Sequence, residues 1–403
     1  MTHLLKDKHI LLGITGSIAA YKSVELASKL TQAGALVDVI MTEAATKFVT
    51  PLTFQSVTGR KAFTDLWGDE AHVIHVGLGE SADLFVIAPA TANTMAKIAH
   101  GLADDLLSVA ALAARCPILI APAMDGGMYA HPATQSNEKI LRERGIIFVG
   151  PAEGRMASGL TGKGRMVEPQ ELLGHIRYTL SRGGVFKNKK VVVTAGGTQE
   201  DIDPVRFLSN HSSGKQGFAL AQVALDRGAD VTLITAPTNQ IAPIGVNLIN
   251  VRSADEMGEA VLRAAADAEV LIMAAAVADF KPEASADQKI KRSAITNYQL
   301  PLTKTVDILS AVAEQKEKIG KPKIVVGFAA ETQNLIDNAR EKVFKKKLSL
   351  IVANDVSAKD AGFFVDTNRV TIIDAGGGAQ TLPLMSKAEV AEAVCERVER
   401  LLS

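Results

Sequence analysis

Two stretches of the chain share one order of apolar and polar positions. In the first, the apolar run HILLGIT at residues 9–15 has the length of a strand and breaks at Gly16-Ser17. Apolar residues then recur at helical spacing over residues 18–33, Gly34 stops them, and residues 36–41 form a second run. In the second, VVVT at residues 191–194 enters Ala195-Gly196-Gly197-Thr198. A polar segment follows and reads as a long loop, and Ser212-Ser213-Gly214-Lys215 opens a helix with its body at residues 218–227. Gly228 stops it and residues 230–235 make the next strand. GALVDVIMT and GADVTLIT are the same structural step. Continuous apolar strands alternating with amphipathic helices predict mostly parallel sheets buried on both faces, so the expected fold is α/β with two tandem doubly wound domains.

Between the repeats, residues 153–164 are rich in Gly and Ser, a helix is expected near residues 169–182, and Gly183-Gly184 follows. The boundary is expected at residues 183–189, with domains at 1–185 and 190–403. Residues 281–305 carry Lys289, Lys291 and Arg292 and have few helix signals, which predicts a strand pair or a projecting arm. The 403 residues exceed one ordinary core, as two domains require.

Composition narrows the function classes. Lys plus Arg equals Asp plus Glu at 44 each, so there is no global field for nucleic acid or an anionic membrane. The two cysteines, Cys116 and Cys395, are too few for a disulfide scaffold or a zinc site, and the expected compartment is the cytoplasm. Lys6-Asp7-Lys8 before HILLGITGSIAA imitates a secretory signal, but glycines break the run and a helical pattern follows, so a first strand is expected. Arg115 and Pro117 interrupt the longest apolar candidate for a membrane span.

The expected chemistry lies where strands end. Glycines let a backbone approach a ligand and a helix start attracts anions, so residues 195–215 point to a phosphate. In the first domain, Ser, Thr and Asn gather at strand carboxyl ends, in GITGSIAAYK, MTEAATKF and APATANT, a set suited to a phosphate monoester and a planar ring. The Gly13 and Gly16 spacing is not the dinucleotide fingerprint, and LSNHSSGKQG lacks the first glycine of a Walker loop.

GITGSIAAYK, APATANT and PAMDGGMYAHP, with His75 between, resemble the flavin-dependent cysteine decarboxylases. The resemblance implies a flavodoxin-like domain that binds FMN, with Gly16, Ser17, Ile18, Thr42, Thr91, Asn93, Thr94 and Ala123 at the flavin. It also implies a trimer with FMN between subunits, His75 as the catalytic histidine and Met128 at the substrate. The implied chemistry is oxidation of a cysteine thiol to a thioaldehyde, loss of CO2, and reduction of the resulting enethiol. Two positions depart from the family pattern. Asp125 replaces the usual Asn, and an anion there repels a substrate carboxylate unless protonated or paired. Ser158 and Thr161 stand where many members carry a proton-donating flap cysteine. These departures leave two readings open, an active decarboxylase and a slow or inactive one.

TAGGTQEDIDPVRFLSN, LSNHSSGKQG, AAAVADF at residues 274–280, KIK at 289–291, GFAAET at 327–332 and VANDV at 352–356 resemble bacterial phosphopantothenate-cysteine ligases, in the expected order. The resemblance implies a Rossmann-like domain that activates 4′-phosphopantothenate with CTP and Mg2+ as an acyl-cytidylate, from which cysteine displaces CMP. Asn210 is implied to hold the acyl group, Arg206 to support that loop, and Lys289 to stabilise charge during cysteine attack. Ala275, Ala276, Asp279, Asp307, Ile308, Phe328, Lys342 and Lys346 are implied at the nucleotide, with Asp279 also toward the metal. Read without the family, Asn210 is an ordinary helix cap, Lys289 belongs to an exposed strand face, and Lys342 and Lys346 close a helix that begins with Glu331. Together the halves imply a bifunctional homo-oligomeric enzyme of coenzyme A biosynthesis, with dimeric ligase domains joined to flavin trimers in a dodecamer.

Overall fold

The computed structural model describes residues 3–67, 77–156, 159, 161–291, 299–331, 335–355 and 365–402. The chain divides into two compact units, residues 2–180 and 181–403. Among the described residues, no helix is long and apolar enough to cross a membrane.

In the first unit, β1 (His9–Ile14), β2 (Leu36–Met41), β3 (Ala62–Phe63), β4 (Leu84–Ala90), β5 (Ile118–Pro122) and β6 (Ile147–Phe148) form a parallel sheet in the order β3-β2-β1-β4-β5-β6. Without the two-residue edge β3, this is the flavodoxin order. β1 sends Ile10, Leu12 and Ile14 into one core layer and Leu11 into the other, so both faces are covered, as its unbroken apolar run requires. Residues 153–164 are not a plain linker. Most of them belong to the antiparallel pair of β7 (Ala152–Arg155) and β8 (Thr161–Arg165).

The second unit begins with β9 (Lys190–Ala195). The polar segment expected as a long loop is instead an antiparallel hairpin of β10 (Gln199–Asp203) and β11 (Arg206–Ser209). Asp203 closes its turn, accepting from the Val205 and Arg206 N–H groups at 2.9 Å each. That local carboxylate bond is what polarity alone did not reveal. Next come β12 (Asp230–Thr235), β13 (Asn247–Asn250) and β14 (Val270–Met273). β15 (Phe280–Pro282) and β16 (Leu302–Lys304) then form the strand pair foreseen near residues 281–305. β17 (Ile324–Glu331) and β18 (Leu350–Asp355) continue the main sheet. β19 (Thr367–Asn368), β20 (Val370–Asp374), β21 (Ala379–Thr381) and β22 (Met385–Ser386) complete the strands.

The second sheet has eight strands in the order β13-β12-β9-β14-β17-β18-β20-β21. Its first six are parallel in the dinucleotide-fold order, and β20 and β21 extend it antiparallel. β9 repeats the pattern of β1, with Val191, Val193 and Ala195 in one layer and Val192 in the other. Glu331 lies in β17 and not at a helix start. The helix carrying Lys342 spans Leu335–Lys345, and Lys346 lies just beyond it.

The helix Lys215–Asp226 crosses β9 so closely that a Cβ on Gly217 would lie 2.5 Å from Ala195 Cβ and 2.7 Å from the Thr194 carbonyl oxygen. Neither partner can retreat, since one is strand backbone and the other a methyl in the core. Gly217→Val is therefore expected to destabilise the unit by about 1–3 kcal/mol through overpacking, readable as a lower denaturation midpoint.

Candidate active sites

In the first unit a buried hydroxyl sets the sheet edge. Thr15 Oγ1, just past β1, donates to the Pro89 carbonyl at 2.8 Å and accepts from the Thr91 N–H at 3.0 Å. Thr91 then caps the helix Ala92–His100, accepting from Thr94 N–H at 3.4 Å, and Thr42 caps Glu43–Thr46, accepting from Ala45 N–H at 3.3 Å. Gly16 passes so near Ala44 that a Cβ would lie 2.5 Å from the alanine methyl, and Ser17 Oγ accepts from Ala19 N–H at 3.3 Å. Ala123 follows β5, its N–H bonded to the Ala90 carbonyl at 3.0 Å.

A cavity of about 440 Å³ opens at this edge. It is lined by Ser17, Ile18 and Ala123 from the expected set, with Asp125, Tyr21, Met156 and the cations Lys22, Arg155 and Arg165. Gly16, Thr42, Thr91 and Thr94 stand at the same edge outside that lining, Asn93 is exposed, and Met128 is 52% exposed on the short helix Gly126–Ala130. Asp125 caps that helix through the Gly127 N–H at 3.0 Å. Asp125 shares the cavity lining with three cationic residues, of which Lys22 and Arg165 pair with Glu168. Lys22 is buried and held by the Met166 carbonyl at 3.3 Å and Glu168 at 2.7 Å. His75 and Ser158 lie outside the described residues. Cys116 is half-buried, and burial pushes its thiol up, away from reactivity.

The second unit uses the same device. Thr194 Oγ1, fully buried at the end of β9, accepts from the Ala274 and Ala275 N–H groups at 3.1 Å each. Thr198 Oγ1 accepts from Ala278 N–H at 2.9 Å. Two hydroxyls thus shape residues 274–278 after β14. Two cavities flank this loop, of about 490 and 610 Å³, and both are lined by Ala275, Val277, Asp279, Phe328 and Lys342. The first lobe adds Asn210, residues 212–217, Ala276, Asn354, Asn368 and Lys387. The second adds Lys304, Asp307, Ile308 and Lys346 over an apolar floor that includes Met273, Leu309, Leu348 and Ile351.

Asn210 is not a helix cap. Its Nδ2 donates to the Val277 carbonyl at 3.0 Å, and Gly214 is the N-cap of Lys215–Asp226. Asp307 caps Ile308–Ile319 through Ser310 N–H at 3.1 Å and pairs with Lys346. Burial raises the Asp307 carboxyl, but Lys346 and Ser310 outweigh it and leave the group below its usual range. Arg206 and Lys289 line neither lobe. Arg206 pairs with buried Asp203 and donates to the Ile290 carbonyl at 3.0 Å, while Ile290 N–H donates to Asp203 at 3.1 Å. This clamp fixes the backbone next to exposed Lys289, which lies outside any described strand. Among the described residues there is no cluster of three or more metal-ligating side chains.

The flavoprotein family model matches residues 1–181, and the model of the DNA/pantothenate metabolism flavoprotein C-terminal domain matches residues 186–402. The coenzyme A biosynthesis bifunctional protein CoaBC of Bacillus subtilis is 44% identical over 403 residues, covering 99% of this chain and 98% of its own length. The chain belongs to the CoaBC family. The Vibrio cholerae member is 45% identical over 393 residues, covering 97% of each chain. A crystal structure of a CoaBC C-terminal domain is 37% identical, covers 54% of this chain and 98% of its own, and gives a TM-score of 0.46. Membership makes the protein a bifunctional enzyme of coenzyme A biosynthesis.

Several lining residues of this CoaBC chain were not foreseen. Lys22, Arg155 and Arg165 come from a helix and both strands of a hairpin, and Asn354, Asn368 and Lys387 come from the last fifty residues of the chain. Two of them left a trace, since Lys22 closes the GITGSIAAYK motif and Asn354 stands within VANDV.

Two outcomes follow from this geometry. Thr194→Val leaves two half-buried N–H groups without their acceptor, so stability should fall by about 1–3 kcal/mol in all and the Michaelis constant for the nucleotide should rise, measured by denaturation and steady-state kinetics. Arg206 holds the Asp203 carboxyl well below the usual carboxylate range. A carboxyl depressed in the folded state stabilises above its unfolded pKa, and that contribution is lost as pH falls through the folded pKa. Asp203→Asn should therefore lower the melting temperature at neutral pH, with the gap to wild type closing as pH drops below about 4.

Proposed function

We propose that the carboxy-terminal half, residues 190–403, joins cysteine to 4′-phosphopantothenate using CTP, and that the amino-terminal half, residues 1–185, decarboxylates the product with FMN to give 4′-phosphopantetheine. The observation that carries the ligase reading is the two-lobed cavity sharing Asp279, Phe328 and Lys342. One lobe has an apolar floor for a base, and the other has a helix start and lysines for phosphates. In the reaction a carboxylate oxygen of phosphopantothenate attacks the α-phosphorus of CTP, and the bond to pyrophosphate breaks. The cysteine amine then attacks the acyl carbon, the bond to CMP breaks, and the amine proton passes to solvent.

Asn210 offers its remaining amide N–H to the acyl oxygen, while its bond to Val277 holds the side chain in place. Lys289 neutralises charge as the amine attacks, on a segment held by Arg206. Ala275, Ala276, Phe328, Lys342 and Lys346 surround the nucleotide, with Asp307 and Ile308 beside them. Mg2+ fits a site with a single protein carboxylate, Asp279, because triphosphate oxygens and water supply its other ligands. Preference for CTP over ATP rests on the family.

FMN fits the first sheet edge, where Gly16 leaves no room for a side chain, Thr42 and Thr91 are part-exposed, and buried Thr94 bonds the Thr91 hydroxyl at 3.2 Å. Bound there, it supplies two-electron oxidation and reduction. Ser17 and Ile18 cover it, Ala123 keeps the edge open, and Asn93 and Met128 reach it or the substrate from the rim. Lys22, Arg155 and Arg165 attract the anionic substrate, and His75 orients its carboxylate or moves a proton. Asp125 and Ser158 favour a second reading, a ligase with a slow or inactive decarboxylase half. Exposed Ile18, Tyr21, Phe48 and Leu52 suit burial against a second copy, in keeping with flavin trimers joined through ligase dimers into a dodecamer. The thiols suit the cytoplasm, with Cys395 fully buried and pushed up to about 12.

The test is one purified preparation assayed for CTP-dependent pyrophosphate release and for CO2 release from phosphopantothenoylcysteine. Wild type should do both. Asn210→Ala should lose most pyrophosphate release and keep CO2 release, and His75→Ala should show the reverse. A colourless wild-type protein that releases no CO2 would leave the ligase alone.

A further inference from the structure

The first lobe of the ligase cavity collects Lys215, Lys342 and Lys387 around one carboxylate, Asp279. Lys387 is the unusual member. It is only 6% exposed and is the first residue of the helix Lys387–Leu402, whose start is set by reciprocal bonds between Ser386 and Glu389. Three effects oppose its charge there. Burial disfavours an ammonium, the positive end of a helix repels it, and Lys215 adds a second cation. Burial and Lys215, in that order, drive its pKa down.

The protein compensates this only in part. Lys387 Nζ donates to the Val365 carbonyl at 2.6 Å, and the carboxylate of Asp366, itself paired with Lys215 at 2.5 Å, attracts the ammonium without outweighing burial and Lys215. The position is nevertheless held firmly. Gln216 donates to the Lys387 carbonyl at 3.1 Å and accepts from Asn368 at 3.2 Å, which ties the starts of two helices together at the cavity wall. A cation placed against burial, dipole and a like charge, with a rigid mount, calls for an anion in the lobe.

Building on the ligase reading above, we propose that Lys387 is a phosphoryl-binding residue of the ligase site, acting with Lys215 and the helix start at Gly214. The ligand chemistry is a doubly charged phosphoryl group, available from the polyphosphate of CTP or from the 4′-phosphate of phosphopantothenate.

The experiment uses the full chain, with Lys387→Met and Lys387→Arg, each substrate varied in turn and pyrophosphate as an inhibitory probe. Lys387→Met should raise the KM of one phosphorylated substrate about 10- to 100-fold, with a smaller loss in kcat, and Lys387→Arg should recover most of it. A higher KM for CTP with weaker pyrophosphate inhibition assigns the polyphosphate. A higher KM for phosphopantothenate with pyrophosphate inhibition retained assigns the monoester. Should Lys387→Met fail to melt cooperatively, Lys387→Gln, which can still donate to Val365, is judged by the same criteria. Both KM values staying within about threefold of wild type in a cooperatively melting variant would overturn the proposal. Absence of CTP-dependent pyrophosphate release from wild type is a different failure, which removes the ligase reading and this inference with it.

Discussion

In each half a threonine hydroxyl is buried at the carboxyl end of the central strand and bonded across to the neighbouring strand, where the direction of winding reverses. Thr15 joins the end of β1 to the end of β4, and Thr194 joins β9 to the loop after β14. A buried hydroxyl left unmatched costs more than the bond contributes, so each threonine fixes its neighbours to one backbone path. The helix that follows Thr91 and the Ala274-Ala275-Ala276 turn both take their position from these bonds. Side chains expected at the flavin or the nucleotide are arranged around edges that these hydroxyls hold.

The second constraint is electrostatic and appears only locally. The chain has equal numbers of acidic and basic residues, yet both cavities gather cations: Lys22, Arg155 and Arg165 in one, Lys215, Lys342 and Lys387 in part of the other. A parallel sheet sends its strand ends and helix starts to one edge, so lysines and arginines distant in sequence join the same field. That field suits enzymes of coenzyme A biosynthesis, whose proposed substrates carry phosphate and carboxylate together.

Strand and helix positions could be read along the chain because both sheets are buried on two faces, which forces nearly continuous apolar runs in β1 and β9 and apolar-rich ones in β2 and β12. Segments governed by polar contacts were harder to place. The β10–β11 hairpin depends on Asp203 bonding its own turn, and the β7–β8 pair follows from ladder bonds between residues poor in apolar side chains. Asn210 and Arg206 show the same limit. Each was foreseen as important, but only the fold shows that one amide is tied to Val277 and the other side chain to Asp203 and Ile290.

By itself, the sequence determined the two α/β repeats, their glycine stops, the strand ends where chemistry gathers, and motifs sufficient for the family. Those features depend on near neighbours, on periodicity, or on residue order. Only the tertiary structure decided that Lys387, some 170 residues after Lys215, shares a cavity with it, that Lys22, Arg155 and Arg165 line one cavity with Asp125, and that Lys289 stands outside both lobes. Such groupings depend on how crossovers return distant segments to one sheet edge, and the apolar contacts that drive those returns carry no mark of the polar side chains they bring together.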